Sequence, residues 1–133
     1  MDLGKSLSEI HVKDIMTKQL ISADPSTTLF QISKMMEQGV GAILVKKDSI
    51  PAGIITDRDF AIKIAASKVP LETTVDKVAS YPLKTIPADQ PVLKAAEMMS
   101  SLKIRKLAVS ENEKIVGIIT STDIVNLISA SKI

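Results

Sequence analysis

The chain writes one short string twice, GIITDRD over Gly53–Asp59 and GIITSTD over Gly117–Asp123. In each copy a β-branched run ends in a threonine, and an aspartate follows three residues later: Thr56 with Asp59, then Thr120 with Asp123. A threonine at a helix start with an acidic residue in the third helical position makes a capping box. The hydroxyl accepts from one backbone N–H and the carboxylate from another, an arrangement that contributes about 1 kcal/mol. The same atoms suit a ligand. A helix N-terminus offers N–H groups and a positive dipole to a phosphate. A carboxylate one turn into the helix can accept from two vicinal hydroxyls, as acidic residues do from ribose in dinucleotide-binding folds. The string therefore supports capping, nucleotide binding, or both at once, because a ligand can borrow a cap.

Other chemistries find little material. The 133 residues include no cysteine and a single histidine, His11. Disulfides, thiolate metal sites, a cysteine nucleophile and a histidine-based triad are thereby excluded within one chain. The serines and threonines have no base partner from which a nucleophile could be built. Asp57 and Asp59 lie two residues apart but lack a third ligand, so a solvated helix start describes them better than a metal site. No catalytic and no metal-binding residues are expected, and the chain is read as a non-enzyme. A net charge of +2 and an aromatic content of 2% argue against a dedicated nucleic-acid binder. His11 lies in a polar segment and is expected to be exposed. The pairs Met35-Met36 and Met98-Met99 are expected to fill core space, for which methionine is well suited.

The elements that must position these residues also come in two copies. A step of 63 residues carries VKDIMT at Val12 onto VDKVAS at Val75, and Met35-Met36 onto Met98-Met99. A step of 64 carries Gly53 onto Gly117, Asp59 onto Asp123 and IAASK onto ISASK. The chain reads as an N-terminal segment over residues 1–11, a first repeat over 12–68 and a second over 75–132. In the first repeat QLISA is a short strand, Leu29 to Gln38 carries apolar residues at helical spacing, and Gly39 ends that helix. AILV and GIIT are strands joined through KKDSIPA, and Asp57 to Ala66 is helical. In the second repeat LKTI, KLAV and IVGIIT are strands, and Val92–Leu102 and Thr122–Ala130 are helices. The fold class is α+β: two strand–helix–strand–strand–helix units, each near the lower size limit for folding alone, packed together with pseudo-twofold symmetry.

In this order, and doubled, these motifs resemble a tandem pair of cystathionine-β-synthase (CBS) domains, over about Val12 to Ile128. The resemblance implies a regulatory ligand-sensing module that needs no cofactor. It would bind an adenine nucleotide (AMP, ADP or ATP) or an adenosyl compound in two clefts between the repeats, associate into a homodimer and act on a separate effector protein. Each cleft in the family takes its aspartate from one repeat and its base pocket from the other. Carried over, the first cleft uses Asp59 for ribose, with Thr56, Arg58 and Ile54 beside it and Ser80, Leu83, Thr85 and Ile104 around the base. The second uses Asp123, Thr120, Thr122 and Ile118, with Thr17, Leu20, Ser22, Val40, Gly41 and Ala42. Where the family often shows LPV, this chain has ILV at Ile43–Val45 and LAV at Leu107–Val109.

The substitutions between repeats point to unequal clefts. KIRKLAV supplies Arg105 and Lys106 to the expected Asp59 cleft, beside Arg58, whereas GVGAILV supplies no charge to the other. Guanidinium and ammonium groups favour phosphate. The Asp59 cleft is thus expected to prefer a phosphorylated ligand, and the Asp123 cleft a neutral or cationic adenosyl compound, or none. The alternatives are an interaction or dimerisation module with no nucleotide ligand, and weak nucleic-acid binding through Arg105 and Lys106. No apolar run approaches the roughly 20 residues of a spanning helix and the N-terminus does not read as a secretory signal, so a cytoplasmic protein is expected, without a membrane partner.

Overall fold

The computed structural model describes residues 7–130. In chain order its elements are α1 (Val12–Ile15), β1 (Ser22–Ala23), α2 (Leu29–Glu37), β2 (Ala42–Lys47), β3 (Ile50–Thr56) and α3 (Asp57–Asp59). A π-helical segment (Phe60–Ala65) and a 3-10 turn (Val75–Lys77) follow. The chain then continues through β4 (Thr85–Pro87), α4 (Val92–Leu102), β5 (Lys106–Glu111), β6 (Lys114–Thr120) and α5 (Ser121–Ala130). These elements form two compact units. One is Ile21–Leu83, here the Asp59 unit; the other, the Asp123 unit, combines residues 7–20 and 84–130.

Each unit is built on a three-stranded sheet, ordered β1-β2-β3 in one and β4-β5-β6 in the other. The first pair in each sheet is parallel and the second antiparallel. A parallel neighbour requires a crossover, which α2 and α4 supply. The middle strands carry three consecutive buried residues, Ile43-Leu44-Val45 and Leu107-Ala108-Val109, all fully buried. Side chains alternate along a strand, so both faces of each middle strand are covered. The cores are aliphatic. Leu29, Ile32, Ile43, Val45, Ile55, Ile64 and Val75 pack together in the Asp59 unit. Val12, Ile86, Val92, Leu107, Val109, Ile119 and Ile124 do so in the Asp123 unit. Burial of each such side chain is worth about 1.5–3 kcal/mol.

The methionine pairs pack as expected, Met99 within the Asp123 core with Met98 against it, and Met35 and Met36 against the Asp59 core. Gln38 and Gly39 close α2, with Gly39 at φ 97°, a conformation glycine adopts without steric cost.

The compact units are offset from the sequence repeats. VKDIMT lies in the Asp123 unit: Val12 N–H donates to Gln90 O at 2.8 Å, Lys13 N–H to Ala88 O at 3.0 Å, and Val12 is fully buried there. VDKVAS lies in the Asp59 unit, where Val75 N–H donates to Thr27 O at 2.7 Å and the Val75 side chain is fully buried. The segment that opens each repeat in sequence thus closes a core built largely from the other repeat.

Several element boundaries differ from the sequence expectation. KKDSIPA is mostly strand, and the hairpin turn is only Asp48-Ser49, at φ 53° and 67°. Asn112-Glu113 repeats this at φ 51° and 66°. Two central residues with positive φ make a turn whose twist matches the flanking strands. QLISA contributes only Ser22–Ala23 to the first sheet, and LKTI only Thr85 and Ile86, the strand ending at Pro87. The helix expected from Asp57 holds α geometry for three residues and then widens to a π-helix over Phe60–Ala65, with Ala66 N–H donating to Ala61 O at 3.1 Å.

Candidate functional site

Both capping boxes form. Thr56 N–H donates to Asp59 Oδ2 at 3.0 Å, and Asp59 N–H to Thr56 Oγ1 at 3.1 Å. Thr120 N–H donates to Asp123 Oδ2 at 2.9 Å, and Asp123 N–H to Thr120 Oγ1 at 3.1 Å. The four side chains are half-buried. Each aspartate therefore commits one oxygen to holding the strand–helix junction and fixes where the other oxygen sits.

A second segment crosses each junction. Ser80 pairs with Ile54, its N–H donating to Ile54 O at 2.8 Å and its carbonyl accepting from Ile54 N–H at 3.1 Å. Thr17 and Ile118 make the same exchange at 2.8 and 2.9 Å. This crossing explains the glycine that opens each GIIT string. A Cβ at Gly53 would stand 2.6 Å from Tyr81 Cε1 and 2.8 Å from Ser80 O, and one at Gly117 would stand 2.6 Å from Met16 Sδ and 2.8 Å from Thr17 O. The backbone of the crossing segment needs that space. Tyr81, next to Ser80, has its phenol pKa raised above the ordinary value by partial burial and by the charge of Asp76.

Of the residues expected around Asp59, the structure brings Thr56, Ile54 and Ser80 together in the Asp59 unit. Arg58 is exposed there, its backbone N–H donating to Asp57 Oδ1 at 2.8 Å, and Leu83 N–H donates to Ala52 O at 3.0 Å. Thr85, Ile104, Arg105 and Lys106 belong to the Asp123 unit, where Lys106 pairs in register with Thr120 and Arg105 O accepts from Ser121 N–H at 2.8 Å. Around Asp123, the structure brings together Thr120, Ile118 and Thr17 in one unit, with exposed Thr122 next in sequence to Asp123 and half-buried Leu20 on the segment that carries Thr17. Ser22, Val40, Gly41 and Ala42 belong to the Asp59 unit, where Ala42 pairs with Thr56 and Gly41 O accepts from Asp57 N–H at 3.1 Å.

Within its own unit, Asp59 is accompanied by a cation that the sequence reading does not include. Lys63 Nζ donates to Ser80 Oγ at 2.7 Å and lies 3.8 Å from Asp59 Oδ1. Two signals pointed to it. Lys63 stands four residues after Asp59, a spacing that places side chains on one helix face, and the repeat step of 64 sets it opposite Leu127. His11 is exposed, as expected, and its N–H donates to Asp14 Oδ2 at 3.1 Å.

This fold has clear relatives. The CBS domain model matches residues 12–66 and again 70–130. A Methanopyrus kandleri protein described as uncharacterized, MK0525, is 33% identical over 126 residues, which cover 91% of this chain and 64% of that protein. The crystal structure of an uncharacterized conserved protein from Pyrococcus horikoshii is 27% identical, with a TM-score of 0.86 over 95% of this chain and 96% of that one. The CBS domain pair of protein MJ0100, solved in complex with 5′-methylthioadenosine and S-adenosyl-L-methionine, is 28% identical, with a TM-score of 0.82 over 92% and 98%.

The chain belongs to the CBS domain family. It is a CBS domain pair, a regulatory module. Among the described residues no helix is long and apolar enough to cross a membrane.

Proposed function

We propose that the chain senses adenosine-type molecules, with Asp59 and Asp123 each accepting the ribose hydroxyls of one ligand. The observation that carries this reading is the duplicated junction. In both units a half-buried aspartate is held by a strand-end threonine, and a hydroxyl residue, Ser80 or Thr17, is hydrogen-bonded through its backbone to the same strand two residues before that threonine. A carboxylate fixed in this way is preorganised for vicinal hydroxyls, which lowers the ordering cost of binding. The adenosyl compounds bound to the MJ0100 domain pair support the same ligand class. Within the same units, Leu83 is proposed to face the base of the Asp59 ligand and Leu20 that of the Asp123 ligand.

Occupancy would be passed to a separate effector or to a homodimer interface in the cytoplasm. A thermal-unfolding screen with adenosine, AMP, ATP, 5′-methylthioadenosine and S-adenosyl-L-methionine tests the reading. A true ligand at 100 times its Kd adds about 2.7 kcal/mol of stability. No shift with any of the five would leave the interaction-module alternative in its place.

A further inference from the structure

We propose that Lys63 sets the charge of the ligand taken at Asp59, selecting a phosphate-bearing nucleotide there, whereas Leu127 leaves the Asp123 site to an uncharged or cationic adenosyl compound. The inference rests on the ligand reading above and adds a residue and a mechanism to it. Lys63 projects from the helical segment that Asp59 opens and bonds to the segment that crosses β3, so its ammonium joins the two parts of that junction. An ammonium has three donors. Ser80 Oγ takes one at 2.7 Å, and the long 3.8 Å approach to Asp59 Oδ1 leaves the others available to a phosphate on a ribose held by Asp59. The Lys63 side chain is 44% exposed, so its tip is reachable, while the Asp59 side chain beside it is 22% exposed.

The second unit has the same box and the same crossing segment but places Leu127 at the corresponding position. The described residues pair no cation with Asp123. A fixed positive charge on the helical segment beside Asp59 attracts phosphate and repels a sulfonium. The Asp123 box lacks that helical cation, and its basic neighbours, Arg105 and Lys106, come instead from the start of β5, where Lys106 lies in register with Thr120.

The test is calorimetric titration of AMP and of adenosine into the full chain carrying Asp123→Ala, so that the heat reports the Asp59 site, with and without Lys63→Leu or Lys63→Arg. Lys63→Leu is expected to lower AMP affinity about tenfold more than adenosine affinity and to flatten the salt dependence of AMP binding. Lys63→Arg is expected to keep most of the preference for AMP. Equal losses for both probes, or no loss for either, overturn the role of Lys63 and leave the adenosine site standing. If the Asp123→Ala chain is folded and binds neither probe, the Asp59 ligand site fails and the inference fails with it.

Discussion

Asp123 Oδ2 accepts the Thr120 N–H at 2.9 Å while Thr120 Oγ1 accepts the Asp123 N–H at 3.1 Å, and Asp59 with Thr56 repeats the exchange at 3.0 and 3.1 Å. One carboxylate oxygen is spent on structure in each case, so both aspartates have a folding role beside any ligand role. Thr56→Val and Thr120→Val remove the hydroxyl and nearly keep the volume. Each is expected to lower stability by about 1 kcal/mol in urea unfolding, and unchanged midpoints would show that the boxes carry no load.

The glycines that open the two GIIT strings are required by close approach and not by backbone angle. Gly53→Ala and Gly117→Ala each push a methyl group to 2.8 Å from a carbonyl oxygen of the crossing segment. Overpacking of this kind costs about 1–3 kcal/mol, measurable in urea. Trimming the side chain in the double variant Gly53→Ala/Tyr81→Ala is not expected to restore stability fully, because Ser80 O is backbone. Full recovery would mean that the ring alone sets the constraint.

Much of this architecture was legible in the sequence, and the reasons are particular. The duplicated GIIT strings and the helical spacing of Leu29, Ile32, Met35 and Met36 marked elements whose apolar faces are buried, so pattern and structure agree. The strands of both hairpins run further toward the turn than the sequence suggests, because Asp48-Ser49 and Asn112-Glu113 turn with positive φ without the glycine that usually marks such turns. The π-helical stretch over Phe60–Ala65 left no trace in the apolar pattern. The exchange of opening segments between units was invisible because Val12 and Val75 are equally apolar, and periodicity does not say which core a side chain enters. Lys63 is hard to read from the sequence because Arg58 is the basic residue next to Asp59 in the chain, whereas the ammonium that approaches the carboxylate comes from one helical turn further along.

The exchange of opening segments has a direct consequence. Val12 is fully buried in the core of the Asp123 unit, although its repeat continues into the other unit. Val12→Ala is expected to cost about 1–3 kcal/mol. In native-state hydrogen exchange the loss of protection should centre on β5, β6 and α5. Loss centred on β2 and β3 would contradict the assignment.

Tyr81 is the chain's single tyrosine and no tryptophan accompanies it, so phenolate absorbance reports this residue alone. Its pKa is raised by burial first and by Asp76 second. The folded chain therefore holds the phenol proton more tightly than the unfolded chain does. The associated stability is complete below the ordinary value of about 10 and declines as pH climbs through the folded midpoint. The titration midpoint is expected above 10 in the folded chain and to fall on denaturation or in Asp76→Asn. A midpoint that ignores both changes would contradict the environment described.

The central claim is that the two aspartates hold adenosine-type ligands, and calorimetric titration of adenosine into the wild-type chain and into Asp59→Ala/Asp123→Ala tests it most directly. The wild type is expected to bind, and the double variant, folded but less stable by about 2 kcal/mol for its two lost caps, is expected to give no binding heat. Equal affinity in the two proteins would contradict the account and leave the aspartates as helix caps alone.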